Sequence, residues 1–466
     1  MKATIGQLHR AGVEPVTDGN ADAVSEDGDQ SLSRPVAAGD PSFGEALRVW
    51  ARIGLLSFGG PTAQIALMHR EVVEQKRWLG EQQFLNALSF CMLLPGPEAM
   101  QLATYTGWRL HGLRGGLAAG LLFVLPGALL VLLLASIYAA FGEVALVQAI
   151  FVGVKAAVLV IVVEALLKVA KRALKRRVDW VIAACSFVAI FLLALPFPLV
   201  ILLAAIAGYL AARGETTDAS SMPITAENEA SIGGALRMAA VWLLVWLVPL
   251  ALVALAFGRD HVLTELSLFF SKLAVVTFGG AYAVLAYMTQ EVVQNHGWLT
   301  AGEMLDGLGL AETTNGPLIL VTEFVGYLAA YRFGEGPPLA MGLLGAAVTL
   351  WATFAPCFLW VFTGAPFIER LQNMPRLRGA LQGVTAAVVG VILNLSVWFG
   401  LHVFFGKVDA QLFGPLTLWL PEIASLDVLS LVLALVAAAT LLWFQLGLAW
   451  TLALAGGLSL IWHVLI

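Results

Sequence analysis

Charge is what this chain has least of. Only 12% of its 466 residues are Asp, Glu, Lys or Arg, and 59% are hydrophobic; a soluble domain carries about 25% charged residues. A soluble globular fold is thereby excluded, and no nucleic-acid partner is expected. Cysteine is equally scarce. Cys91, Cys185 and Cys357 lie far apart in apolar stretches, with no metal-ligand spacing among them. No phosphate-binding loop occurs, so direct drive by ATP is not expected. His69-Arg70-Glu71 lacks the second histidine of a helical zinc site, and no cofactor is implied. Met1 to Asp40 has no apolar core of a signal peptide. Its acidic run Ser25-Glu26-Asp27-Gly28-Asp29 reads as part of a disordered cytoplasmic tail, residues 1–42.

What is present is a set of long apolar runs, which predict an all-α polytopic membrane protein. Within it, Ser57–Glu98 and Thr277–Leu318 align without a gap at an offset of 220. Phe58-Gly59-Gly60 falls on Phe278-Gly279-Gly280, Glu71-Val72-Val73 on Glu291-Val292-Val293, and Gly96-Pro97 on Gly316-Pro317. Further on, Gly153-Val154-Lys155-Ala156-Ala157 matches Gly383-Val384-Thr385-Ala386-Ala387. The chain is a duplication. The first repeat covers 43–213, a polar linker 214–234, an unpaired connecting span 235–257 and the second repeat 258–466.

The charges orient the two copies. Arg70, Lys76 and Arg77 follow the first Gly-Gly pair, while Thr289 to Thr300 has no Lys or Arg. A dense basic cluster, Lys168 to Arg177, follows the Gly153 helix; in the second copy Arg370, Arg376 and Arg378 precede the Gly383 helix. The basic ends have switched. Under the positive-inside rule this predicts inverted-topology repeats, the unpaired span supplying the odd crossing. The N-terminus is then inside and the C-terminus outside.

Gly59-Gly60-Pro61 and Pro95-Gly96-Pro97 cannot continue a regular helix, nor can Gly279-Gly280 and Asn315-Gly316-Pro317. They predict broken or re-entrant helices whose freed backbone groups face protein or a wet cavity. A helix N-terminus carries about half a positive charge and binds oxyanions. Phe58, Glu98 and Gly279 flank these breaks, and Gln64, Gln101, Thr104, Thr313 and Thr314 could donate hydrogen bonds to an oxyanion. Lys155 sits about 13 Å into its span. A cation at that depth marks a functional site, with Glu98 as a candidate partner. Glu312 and Glu323 are lesser candidates for carrying a proton.

Phe58–Pro61 (FGGP), Glu74–Leu79 (EQKRWL), Leu93–Trp108 (LLPGPEAMQLATYTGW) and the pair Leu125-Pro126 resemble the chromate ion transporter family, long-chain two-domain type. FGGAYAVL and TTNGPLILVTEFVGY of the second copy resemble its second domain. The resemblance covers about residues 43–466. It implies a secondary transporter, not an enzyme, that exports chromate or handles sulfate, with oxyanion and bilayer as partners and a homodimer left open. The second copy departs from the first in having Asn315 for Pro95 and Leu318 for Glu98. The alternatives are a passive anion channel and an intramembrane enzyme acting on a lipid-linked substrate through Glu98, His69 and Glu71.

Overall fold

A computed structural model describes residues 41–212, 232–278, 281–367, 374–414 and 416–465. The N-terminal tail to residue 40, most of the expected linker, Gly279-Gly280 and Arg370 lie outside the described residues.

The chain opens with α1 (Phe43–Leu56), capped by the Ser42 hydroxyl, which accepts from the Glu45 N–H. Then α2 (Gly60–His69) runs back beside α1 and ends in a π-type turn, Arg70–Gln75. Two ion pairs fix the antiparallel register: Lys76–Glu45 at 2.7 Å and Arg52–Glu71 at 3.7 Å. α3 (Glu81–Cys91) and α4 (Glu98–Phe141) form a second hairpin around Pro95-Gly96-Pro97. With helices of 14, 10 and 11 residues before Pro95, none of these segments reaches the ~20 residues of a full span. They are short hairpins broken at glycine and proline, as the sequence predicts. α4 folds back on itself at His111 and Gly112, whose dihedrals leave the helical region. Gly107 and Gly115 then lie backbone against backbone, which small residues permit between helices in lipid.

The same succession recurs 220 residues on. α9 (Val262–Val276), α10 (Ala281–Thr289) with a π-type turn Gln290–Asn295, and α11 (Ala301–Thr313) match α1 to α3. α12 (Val321–Phe333) and α13 (Pro338–Gly364) match the two arms of α4. The π-type turns coincide because the same bonds close both. Trp78 N–H donates to Val72 O at 2.8 Å, and Trp298 N–H to Val292 O at 2.9 Å.

α5 (Ala145–Ala173), α6 (Arg177–Phe191) and α7 (Phe197–Ala211) complete the first half, and α8 (Ile232–Phe257) connects the halves. α14 (Pro375–Phe404), α15 (Val428–Ala438) and α16 (Leu448–Leu465) complete the second. These six outer helices interlock into one panel. α5 crosses α14; α6 and α7 pack on α14, and α15 and α16 on α5. Gly153 lies against the Ala455 backbone, and its counterpart Gly383 against the Ala204 backbone. Their matched place in the sequence is therefore a close helix crossing.

Among the described residues six helices are long and apolar enough to cross a membrane. α6 and α7 are helices of 15 residues each, short of a full crossing. One addition to the all-α expectation is a β-hairpin, β1 (Val408–Phe413) with β2 (Leu416–Pro421). Thr417 N–H ties it to Leu192 O at the end of α6.

Candidate functional site

Each break has a local cause. Gly59 (φ 85) and Gly60 (φ 76) take left-handed conformations that cost glycine little. Pro61 sits where the first turn of α2 needs no N–H. At the second break Gly96 (φ 119) lies between two prolines, and its match Gly316 has φ 92.

The breaks meet across the halves. Gly96 N–H donates to Thr277 O at 2.9 Å, and Gly316 N–H donates to Ser57 O at 2.9 Å. Thr277 matches Ser57 and Gly316 matches Gly96, so each bond is the image of the other. Buried amides brace the crossing. Gln64 Nε2 donates to Gly316 O at 2.6 Å, Gln101 Nε2 to Pro95 O at 2.7 Å, and Asn315 Nδ2 to Gly54 O at 3.1 Å. The long second arm of α4 sets the depth. Gly127, midway between Gly112 and Phe141, lies against Asn315 O, while Cys357 of α13 stands beside Gly96. Both follow a proline, Pro126 and Pro356. The crossed breaks are thus level with the middle of a membrane-spanning arm.

The residue placements divide the expected anion ligands. The Gly96 and Gly316 N–H groups are spent on each other's halves. Thr104, Thr313 and Thr314 hydroxyls donate to Met100, Leu310 and Ala311 carbonyls of their own helices. The starts of α2, α4 and the helical turn after Pro317 remain, where first-turn N–H groups lack helical partners. Gly60 there has open space where a Cβ would stand. Glu98 is the first residue of α4 and half-buried; Pro95, Gly96 and Pro97 before it are buried. Phe58 is exposed beside its break.

Comparison with known proteins settles the kinship. The chromate transporter family matches residues 44–209 and 264–460. The chain belongs to the chromate transporter family. It is 33% identical over 359 residues to a chromate transport protein of Pseudomonas aeruginosa, covering 75% of this chain and 79% of that one. It is 30% identical over 347 residues to a chromate transport protein of Cupriavidus metallidurans, with 74% and 80% covered. An uncharacterized transporter of Methanocaldococcus jannaschii is 27% identical over 365 residues, with 78% and 86% covered. No solved structure matches. The relatives are named as transport proteins, which fits a transporter of an oxyanion embedded in the membrane. Two of the residues the intramembrane-enzyme alternative would use have charged neighbours. His69 pairs with Glu74 and Glu81, and Glu71 with Arg52.

In this chromate transporter Lys155 does not stand at the breaks. Its ammonium lies 3.4 Å from Asp306 Oδ2, which also accepts from the Tyr138 hydroxyl at 2.8 Å. Asp306 precedes Thr314 by eight residues, about 12 Å along α11. The partner is therefore Asp306, not Glu98. Sequence reasoning missed it, although a lone acid in an apolar helix is itself a signal. Its match in the first half is Asn86. Glu312 accepts from the Tyr282 hydroxyl at 2.7 Å. Glu323 is fully buried, and neither carboxylate oxygen has a hydrogen-bond partner. Their matches, Met92 and Ala103, are neutral.

Proposed function

We propose that this chromate transporter is a secondary exporter, moving chromate from the cytoplasm across the inner membrane of a bacterium, with sulfate as a competing dianion. The reading places the N-terminus inside and the C-terminus outside, with the two halves inverted. The observation that carries it is the reciprocal crossing of helix breaks at mid-span. Opposed half-helices on opposite runs of the chain point positive ends toward one level, the build of a transporter's anion site. The proposed contact groups are the free first-turn N–H groups that follow the breaks Phe58-Gly59-Gly60-Pro61, Pro95-Gly96-Pro97-Glu98, Gly279-Gly280 and Thr314-Asn315-Gly316-Pro317, with Gln64 and Gln101 holding the loops. Lys155 is the cation on the way out.

The membrane potential supplies the drive. Two negative charges moving outward gain about 4–5 kcal/mol at ~100 mV, about three decades of gradient. Chromate uptake into everted vesicles tests the reading. Uptake that depends on the protein, is inhibited by sulfate and falls when the potential is collapsed is expected. Uptake unchanged by collapsing the potential would refute drive by the membrane potential and favour electroneutral exchange of the dianion.

A further inference from the structure

The two halves match in sequence but not in exposure. On the second half, α10 packs against α14, and α11 against α5, α14 and α16. Gly302 and Gly309 let α5 come close: Gly302 faces the Lys155 ammonium and Gly309 faces Val154. On the first half α2 packs on α1 and α4, and α3 on α4; among the described residues no comparable helix packing joins them to the panel, and Arg172 at the end of α5 reaches only Met92 Sδ just past α3. The matched positions are Gln82 for Gly302, Asn86 for Asp306 and Ser89 for Gly309, and all three are exposed. So are Gln83 of α3 and Thr62 of α2.

An exposed polar face on a re-entrant helix is costly against lipid tails and cheap against water. Ser89 lies about 12 Å along α3 from its surface end at Glu81. Leu85 is the one large apolar side chain exposed on α3, and water reaching that depth on the first half's side would solvate the polar positions around it.

We infer that the structure is one of two end states of the transport path. In it, a water-filled entrance for the oxyanion stands open between α2–α3 and the panel, while the Lys155–Asp306 pair closes the second half's side. The inference rests on the export reading and adds to it the path and its gate. In the other state the panel leaves α10–α11 and packs on α2–α3. The matched pairs then exchange roles: Lys155 and Asp306 part, and Thr385 of α14 meets Asn86 of α3. Two equivalent docking faces, only one of them used at a time, are what rigid-body alternation around a fixed site requires. An oxyanion that attracts Lys155 competes with Asp306 for it and so favours opening of the far side.

Thiol labelling in Cys185→Ser protein tests this, since Cys91 and Cys357 are buried. Ser89→Cys is expected to react with a membrane-impermeant anionic thiol reagent from the first half's side, with sulfate slowing it; sulfate replaces chromate because it does not oxidise thiols. Gly309→Cys is expected to react at least tenfold more slowly, and faster once Lys155→Met is added. A double variant with Asn86→Cys and Thr385→Cys is expected to cross-link during turnover and to stop transport when it does. Equal labelling of Ser89→Cys and Gly309→Cys in the otherwise native chain, or absence of any Asn86–Thr385 cross-link, would overturn the two-state path. The labelling rates do not involve chromate, and the cross-link is run with sulfate as the transported dianion, so failed chromate uptake would leave the path standing and condemn only the choice of substrate.

Discussion

Gly96 offers the sharpest check on the crossed breaks. A methyl group there would stand 2.8 Å from Gln101 Nε2 and 2.9 Å from Cys357 Sγ. The residue also has φ 119, where a side chain costs about 1–2 kcal/mol. Overpacking a filled site adds about 1–3 kcal/mol. Displacing Gln101 also weakens its bond to Pro95 O, worth about 0.5–1.5 kcal/mol. Gly96→Ala is therefore expected to lose about 2.5–6.5 kcal/mol. Gly60 supplies the control. It has φ 76 and no atom within 4 Å of a would-be Cβ, so Gly60→Ala carries the backbone cost alone, about 1–2 kcal/mol. The assay is unfolding of the purified protein in detergent, followed by tryptophan fluorescence, for both variants and for the cycle with Cys357→Ala. Removing Sγ relieves one of two close approaches, so the double variant should regain about 1 kcal/mol of the Gly96→Ala loss. If Gly96→Ala is as stable as Gly60→Ala, the break is looser than these distances and the close seating of Gly96 against α13 is wrong.

Three other outcomes are expected. Pro95→Ala with Pro97→Ala restores two N–H groups and favours a continuous helix, so transport is lost while the protein still reaches the membrane; retained export would reject the need for the break. Lys155→Met strands Asp306 and destabilises the fold by at most the ~3–5 kcal/mol of a broken buried pair, less because the Lys155 side chain is 27% exposed; stability returns with Asp306→Asn but export does not, whereas Lys155→Arg keeps part of both. A periplasm-active reporter fused after Ile466 should be active and one placed in 214–230 silent; equal signals would reject inversion of the halves.

The parts of this fold legible in the sequence are those fixed by local covalent chemistry. Glycine and proline announce a break wherever they fall, so Gly59-Gly60-Pro61 and Pro95-Gly96-Pro97 could be placed before any contact was known. Which break meets which could not, because Gly96 with Thr277 joins residues far apart in sequence through backbone groups that carry no side-chain signature. The π-type turns at Arg70 and Gln290 hide for a similar reason: one widened turn leaves hydrophobic periodicity almost unchanged. The β-hairpin was legible in retrospect, in the alternation of Val408–Phe413 before Gly414, but it sits between apolar runs that drew the eye to spans. Depth along its helix marks Lys155, but the nearest break does not hold its partner. Asp306 lies on another helix, and no local spacing relates the two. Gln64 and Gln101 were read as ligands for an anion; in the structure their amides hold the loops, a use that depends on carbonyls the sequence leaves unpaired but does not locate.

What the two halves keep in common and what they do not share separates architecture from direction. Both keep the Gly-Gly and Gly-Pro breaks, the π-type turns, and glycine at the crossing of α5 with α16 and of α14 with α7. The latch is present once. Lys155 and Asp306 have neutral matches, Thr385 and Asn86, so the closed second side is held by a charge pair and the open first side has none. If that asymmetry sets the resting state, installing the missing pair should reset it. Thr385→Lys with Asn86→Asp places an ammonium and a carboxylate where the alternate packing would bring them together. An ion pair of about 1.4 kcal/mol would shift the equilibrium between the states tenfold, and a well-buried one further. In the double variant, Gly309→Cys should label faster and Ser89→Cys slower, each by about that factor, with Lys155 and Asp306 untouched. Either single variant adds a lone charge that prefers water, so each should favour the open entrance and leave Gly309→Cys protected. Should the double variant label like the single ones, the two faces are not equivalent docking sites, and the closed side owes its closure to something other than its ion pair.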